Sequence, residues 1–142
     1  MKHVNSFREL EVYILSRELC KEIFSISKQF PKEETYSLTD QVRRSSRSVG
    51  AQIAEAWSKR RYEKHFISKL TDADAEQQET QHWIEIANYC NYIEKEKMND
   101  LLNKYSSVGR MINSMINKSN LFCTTTDNPK TIINNRIPGT DN

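Results

Sequence analysis

Apolar residues recur at steps of three and four along nearly the whole of this chain, and very little interrupts them. Phe66, Leu70, Ala73, Gln77, Thr80, Ile84 and Ala87 trace one such stripe, and Met98, Leu101, Tyr105, Val108, Ile112 and Met115 trace another. Steps of three and four are the helical period, which places every member of a stripe on one face. Only three Gly and three Pro fall among the 142 residues, so each run can stay helical for many turns. No strand pattern and no internal repeat appear. Such a chain buries its stripes by packing helix on helix.

Four helices are predicted. The first runs from about Arg8 to Phe30, with Leu15, Leu19, Ile23, Ile26 and Phe30 on one face and Phe7, Leu10 and Ile14 widening it. Pro31 ends it, because the residue before a proline avoids the α region. The second opens at Leu38-Thr39-Asp40 with Ser37 or Thr39 as N-cap. It buries Leu38, Val42, Ser45, Val49, Ile53, Ala56 and Trp57, and Gly50 in its middle marks a close backbone approach or a bend. The third spans about Arg61 to Tyr89. Its inner stripe is small and polar at the centre, which predicts a hydrogen-bonded seam, since buried polar groups need partners. The fourth spans about Lys95 to Asn117. Short connectors between the helices predict an antiparallel up-down-up-down four-helix bundle over residues 1–123. Residues 124–142 lose all period and read as a flexible tail.

Charge is unevenly spread. The formal net charge is only +2, but residues 1–61 carry 12 Lys/Arg against 8 Asp/Glu, whereas residues 71–96 carry one Lys against seven acids. The extreme is DQVRRSSRSVGAQIAEAWSKRR, Asp40 to Arg61, with six basic and two acidic residues. No apolar run approaches the roughly 20 residues a membrane span needs, and the first residues do not form a signal peptide. Cys20, Cys90 and Cys123 are scattered with no CxxC, and read as reduced thiols of a cytoplasmic protein.

The segments FRELEVY, FPKEETYSLTDQVRRSSRSVGAQIAEAW, HFISKLTDADAEQQETQHWIEIANYCNYI and GRMINSMI, in that order, carry a resemblance. Over roughly residues 7–123 the chain resembles the bacterial four-helix-bundle family named for proteins encoded in intervening sequences of 23S ribosomal RNA genes, the S23 family. That family includes the accessory variability proteins of diversity-generating retroelements. The resemblance implies an antiparallel bundle assembled into a homopentameric ring. In the retroelement members, the basic ring engages reverse transcriptase and nucleic acid. The chain departs from the family pattern at Gly50, where proline is common, at Gln52-Ile53-Ala54-Glu55-Ala56, and at Ala73-Asp74.

On a helical wheel Arg43, Arg44 and Arg47 lie opposite the core residues of the second helix, followed by Ala51, Ala54 and Ser58, then by Lys59, Arg60 and Arg61. Arginine suits phosphate because its fork donates two parallel hydrogen bonds. Three readings of this face stand side by side. It is a solvated helix back; or it binds RNA, DNA or a nucleoprotein; or it meets Asp72, Glu76 and Glu79 of the next subunit, with Ala51 and Ala54 allowing close approach. Arg60 and His65 form an Arg-x4-His pair similar to the signature of HEPN-type ribonucleases, with His65 as acid/base and Arg60 on the scissile phosphate. Glu79 and His82 match Glu-x-x-His, which a di-iron bundle needs twice and this chain has once. There is no P-loop, no GxGxxG and no Gly-x-Ser-x-Gly. The expectation is a non-enzymatic, homo-oligomeric scaffold without metal or cofactor. The alternatives are a ribonuclease and a protein-protein adaptor that touches no nucleic acid.

Overall fold

The structure, a computed structural model, describes residues 3–123; the expected tail at 124–142 lies outside the described residues. Four long helices carry the chain: α1 (Glu11–Ser27), α2 (Leu38–Ser58), α3 (Glu63–Tyr89) and α4 (Lys95–Asn117), followed by the one-turn α5 (Ser119–Phe122). All regular structure among the described residues is helical. Each long helix packs on two neighbours, α1 on α2 and α4, and α3 on α2 and α4, around a single core. Along α2 and α3 the contacts run in opposite order, with Ser45 against Thr80 and Glu55 against Lys69. Along α1 and α2 the order is opposite too, with Ser27 against Arg43 and Ser16 beside Gly50.

The stripe foreseen for α3 is buried residue for residue, from Phe66 to Ala87. Its polar centre is satisfied as the chemistry requires. The Thr80 hydroxyl reaches Ser45 Oγ of α2 at 2.8 Å and the Glu76 carbonyl of its own helix at 2.9 Å. Gln77 Nε2 donates to Asp74 Oδ1 at 2.9 Å, and Gln81 Nε2 donates to Gln77 Oε1 at 2.7 Å. A buried polar stripe of this kind costs little once paired and several kcal/mol if not, on the order of 1–3 per group.

The first helix differs from expectation. It begins at Glu11, because Leu10 takes an extended backbone (φ −69°, ψ 131°) and splits off a 3-10 turn at Phe7–Glu9. Ser6 caps that turn by accepting from the Arg8 N–H. Regular α1 stops at Ser27, and the chain tightens into i→i+3 bonds from Lys28 to Phe30 before Pro31. The buried face of α1 is Val12, Ser16, Leu19, Ile23 and Ser27, while Leu15 and Ile26 are only half-buried. The N-cap of α2 also differs. Ser37 stands at the position without a side-chain bond, and the Glu34 carboxylate accepts from the Leu38 N–H at 3.2 Å instead. Glu34 also accepts from the Tyr92 hydroxyl at 2.8 Å, which ties this corner to the α3–α4 connector.

Two mid-helix glycines serve different seams. A Cβ on Gly50 would meet Ser16 Oγ at 3.4 Å and Tyr13 Cε1 at 3.5 Å, ordinary contact. A Cβ on Gly109 would fall 2.8 Å from Gln77 Nε2 and 3.3 Å from Asp74 Oδ1, inside the polar seam. Gly50→Ala is therefore expected to stabilise the fold by up to about 1 kcal/mol through helix propensity. Gly109→Ala is expected to cost about 1–2 kcal/mol net, since displaced Gln77 must give up its partners. Urea denaturation of the two variants reads the difference in sign. Tyr105 is fully buried, and its hydroxyl has no hydrogen-bond partner among the described residues. Burial raises its pKa above the ordinary tyrosine value. Tyr105→Phe removes that unmatched hydroxyl and is expected to raise stability by about 1 kcal/mol, measured in the same titration.

Candidate nucleic-acid interface on the second helix

The core positions of α2 fix where its arginines go. With Val42, Ser45, Ser46 and Val49 buried, Arg43, Arg44 and Arg47 must leave the helix on the remaining arc. Arg44 and Arg47 are exposed as expected. Arg43 is half-buried rather than outermost, because it leans over the α1–α2 seam: its Nε donates to Ser27 Oγ at 2.7 Å. Its guanidinium Cζ stands 4.7 Å from the centre of the Phe24 ring. Arg47 approaches the same ring at 5.9 Å, and Lys28 Nζ at 4.6 Å. Such cation–π contacts contribute about 0.5–1 kcal/mol each at exposed sites. Arg44 pairs with Asp40 at 3.2 Å one turn earlier. No carboxylate lies within ion-pair distance of Arg43, Arg47 or Lys28 among the described residues. Thr35, Thr39, Asp40, Arg43, Arg44, Arg47, Ser48 and Ala51 line an open groove of about 520 Å³ along this face.

The acidic counterpart is on α3. Asp72 and Glu79 are exposed and Glu76 is half-buried, one above another on the outer arc. None of the three has a cation within ion-pair distance among the described residues. Desolvation first, then the charges of Glu79 and Asp72, raise the Glu76 carboxyl above its ordinary pKa. Glu79 also accepts from Trp83 Nε1 at 3.0 Å. Of the small residues foreseen beside the arginines, Ala51 is exposed and Ala54 half-buried. The two charged sets therefore do not neutralise one another within the chain.

The far end of α2 is organised differently. Lys59 and Arg61 are exposed, but Arg60 is engaged: its guanidinium lies 3.6 Å from the Trp57 ring centre, and its Nε donates to the Trp57 carbonyl at 2.8 Å. Partial burial lowers the Arg60 pKa, and the neighbouring Cys123 opposes the shift. His65 is exposed with its ring 5.3 Å from that of Tyr62. One face of Arg60 and its Nε are thus occupied by the helix terminus, at the position where the ribonuclease reading needs a phosphate clamp. Ser119 of α5 hydrogen-bonds to Glu63, and Phe122 stacks on Phe66, closing this end of the bundle. Among the described residues no group of three or more His, Cys, Asp or Glu side chains is placed to hold a metal ion. No helix there is long and apolar enough to cross a membrane. Cys20, Cys90 and Cys123 are not in disulfides.

Sequence reading missed Phe24 and Lys28. The one signal for them was that Phe24 falls beside Ile23 but outside the predicted stripe of Leu15, Leu19, Ile23, Ile26 and Phe30. An aromatic side chain off the core stripe is either exposed or claimed by something beyond the helix.

The fold and the surface together define a helical-bundle protein with segregated surface charge. A family model described as 23S rRNA-intervening sequence protein matches residues 8–114, and the chain belongs to that family. It is similar in structure to a protein of unknown function from the S23 ribosomal protein family of Bacteroides thetaiotaomicron. The TM-score is 0.68 and the identity 29%, covering 75% of this chain and 95% of that one. A search among curated proteins gave no match.

The acidic ridge makes a pH prediction. The folded pKa of Glu76 lies above its unfolded value near 4.5. Its contribution to stability is therefore fully present below that value and is lost as pH rises through the folded pKa. At neutral pH the ionised Glu76 is a liability. Glu76→Gln is expected to raise the thermal midpoint at about pH 7 and to leave it unchanged at about pH 3.5, as followed by circular dichroism.

Proposed function

We propose that this protein is a non-enzymatic, homo-oligomeric scaffold acting in the cytoplasm. In this reading, up-down-up-down bundles assemble into a pentameric ring. The ring holds nucleic acid, or a nucleoprotein partner such as a reverse transcriptase, on the basic face of α2. One observation carries the reading: Arg43, Arg47 and Lys28 converge on one ring beside an open groove whose one carboxylate, Asp40, is taken by Arg44, and none of the three has a carboxylate within ion-pair distance among the described residues. Gathered, uncompensated guanidinium and ammonium groups favour an anion, and a phosphate backbone supplies it repeatedly. A ring would present the face several times, turning weak phosphate contacts into avidity. Lys59 and Arg61, exposed at the far end of α2, extend the same charge. The resemblance to retroelement accessory proteins supports the choice of partner, and three cysteines outside any disulfide support the compartment.

A second reading is favoured by Glu76. Burial first, and the charges of Glu79 and Asp72 after it, raise its pKa, and the basic face of another copy would relieve the ionised acids. Asp72, Glu76 and Glu79 would then meet Arg43 and Arg47 across a subunit boundary, with Ala51 and Ala54 allowing the approach.

The double variant Arg43→Glu, Arg47→Glu separates the two when oligomer mass and nucleic-acid affinity are measured side by side. If the face binds nucleic acid, affinity is lost while light scattering still shows a pentamer. Wild-type binding should then fall with salt at a slope of roughly −0.9 per phosphate contacted on duplex DNA. If the face builds the assembly, the double variant dissociates, and reversing the three acids to Lys partly restores the mass. A wild-type monomer overturns the ring in either case. Failure of the wild type to bind nucleic acid at low salt overturns the proposal.

A further inference from the structure

Phe24 is 37% exposed on α1, immediately beside the buried Ile23. Three cations from two helix segments gather around its ring: Lys28 Nζ at 4.6 Å, Arg43 at 4.7 Å and Arg47 at 5.9 Å. The arrangement is held in place. Arg43 is tethered to Ser27 Oγ at 2.7 Å, and Ser27 in turn donates to the Phe24 carbonyl at 3.1 Å. Arg44, the neighbouring arginine, is already paired with Asp40. An aromatic ring flanked by unpaired cations matches the two chemistries of a nucleotide, an anionic phosphate and a flat base. Phosphate contacts alone would need the cations and not the ring.

We propose that Phe24, Lys28, Arg43 and Arg47 form a binding site for single-stranded nucleic acid. An unpaired base stacks on the Phe24 ring, and the adjoining phosphates take the guanidinium and ammonium groups. The proposal rests on the nucleic-acid reading of α2 and narrows it. A duplex is excluded as the preferred ligand because its bases are stacked on one another and offer no free face to a ring. Single strands offer both base faces and backbone, and proteins that hold them combine aromatic platforms with basic grooves. In the bound state Arg43 keeps its tether to Ser27, and Arg47, which stands farther from the ring at 5.9 Å, gives way to the base and takes the phosphate. The groove runs along α2 past Thr39, Ser48 and Ala51, with Arg43 and Arg47 on its lining and Asp40 held by Arg44. Such a site tolerates any sequence, since every base has a face to stack and phosphate contacts carry no sequence information.

The test uses the full chain and fluorescein-labelled 12-mers of oligouridylate and oligothymidylate. An abasic 12-mer of equal charge and a 12-base-pair duplex serve as comparisons, all followed by anisotropy at low salt. Wild type is expected to bind the base-bearing strands about 10-fold more tightly than the abasic strand, the scale of one stacked base. Phe24→Leu keeps the apolar volume and removes the flat face. It should weaken single-strand binding by about 10-fold and erase the advantage over the abasic strand, with oligomer mass unchanged. Phe24→Trp should keep that advantage. Arg47→Gln should reduce the salt slope on a single strand by roughly 0.7, the loss of one phosphate. The ratio between the uridylate and thymidylate constants reads which strand is preferred. Equal binding of abasic and base-bearing strands by wild type, tighter binding of the duplex, or no change in Phe24→Leu overturns the stacking site while leaving the basic face of α2 standing. Failure to bind any of the oligonucleotides overturns both. Displacement of a bound strand by a peptide copied from residues 72–79 is expected only at much higher concentration. Displacement at equal concentration would make the cluster a protein contact and overturn the proposal.

Discussion

The 2.8 Å contact between the Thr80 and Ser45 hydroxyls lies at the waist of the bundle, and the packing around it is arranged for it. Two hydroxyls can meet inside a core only if the helices that carry them come close, which excludes bulky neighbours. Ser45 and Thr80 are themselves small enough to allow that approach, and both are buried. One turn earlier along the same stripe, Gly109 of α4 leaves the room in which Gln77 turns back along its own helix to Asp74 and Gln81. Large side chains fill the core on either side of this waist. Leu70 and Phe66 lie on one side of it along α3, and Ile84 lies on the other. The polar seam thus sets which residues of α2 point inward, and so where its arginines emerge.

This part of the fold was legible in the sequence because it is local and periodic. The steps of α3 and α4 are unbroken over many turns, and the bounds of α4 and the buried face of α3 match what the pattern implied. What the pattern could not carry was set by neighbours. The stretch at Leu10 is as apolar as helix, yet the chain kinks there so that Phe7 can pack edge-on against Tyr13, ring centres 4.9 Å apart. The cap of α2 came from Glu34, four residues before Leu38, because a carboxylate in the preceding 3-10 turn reaches the free N–H more readily than Ser37, which sits at φ −122° and ψ −104°.

The candidate site was legible only by half. The charge and spacing of Arg43, Arg44 and Arg47 are written in α2 itself. Their division of labour is not, since it depends on Ser27, Phe24 and Lys28 from the end of α1 and on Asp40 one turn away. At the other end of the helix Trp57 draws Arg60 onto its face. Two arginines of similar sequence context therefore carry different chemistry, one on a half-exposed Phe and one capping a helix on a half-buried Trp. Helical wheels show which residues share a face, and they are blind to what the next helix places beside it.

The α1–α4 seam has a property that the other three lack. Its partners are not joined by a short connector, so it alone closes the set of four long helices. Glu22 of α1 takes Lys97 at 3.0 Å and Lys104 at 3.2 Å, across 75 and 82 residues of chain. Asp100 links to Lys104 at 3.2 Å in the same cluster. The other seams can zip outward from their turns, each step adding contacts close to those already made. This one must wait until both ends of the chain have been carried to the same place, and closure entropy grows with the length of chain between the partners. Half-exposed ion pairs contribute little to equilibrium stability, but they act over a distance at which apolar side chains feel nothing. At the one seam without a hinge, opposite charges on α1 and α4 draw the last edge of the bundle into register.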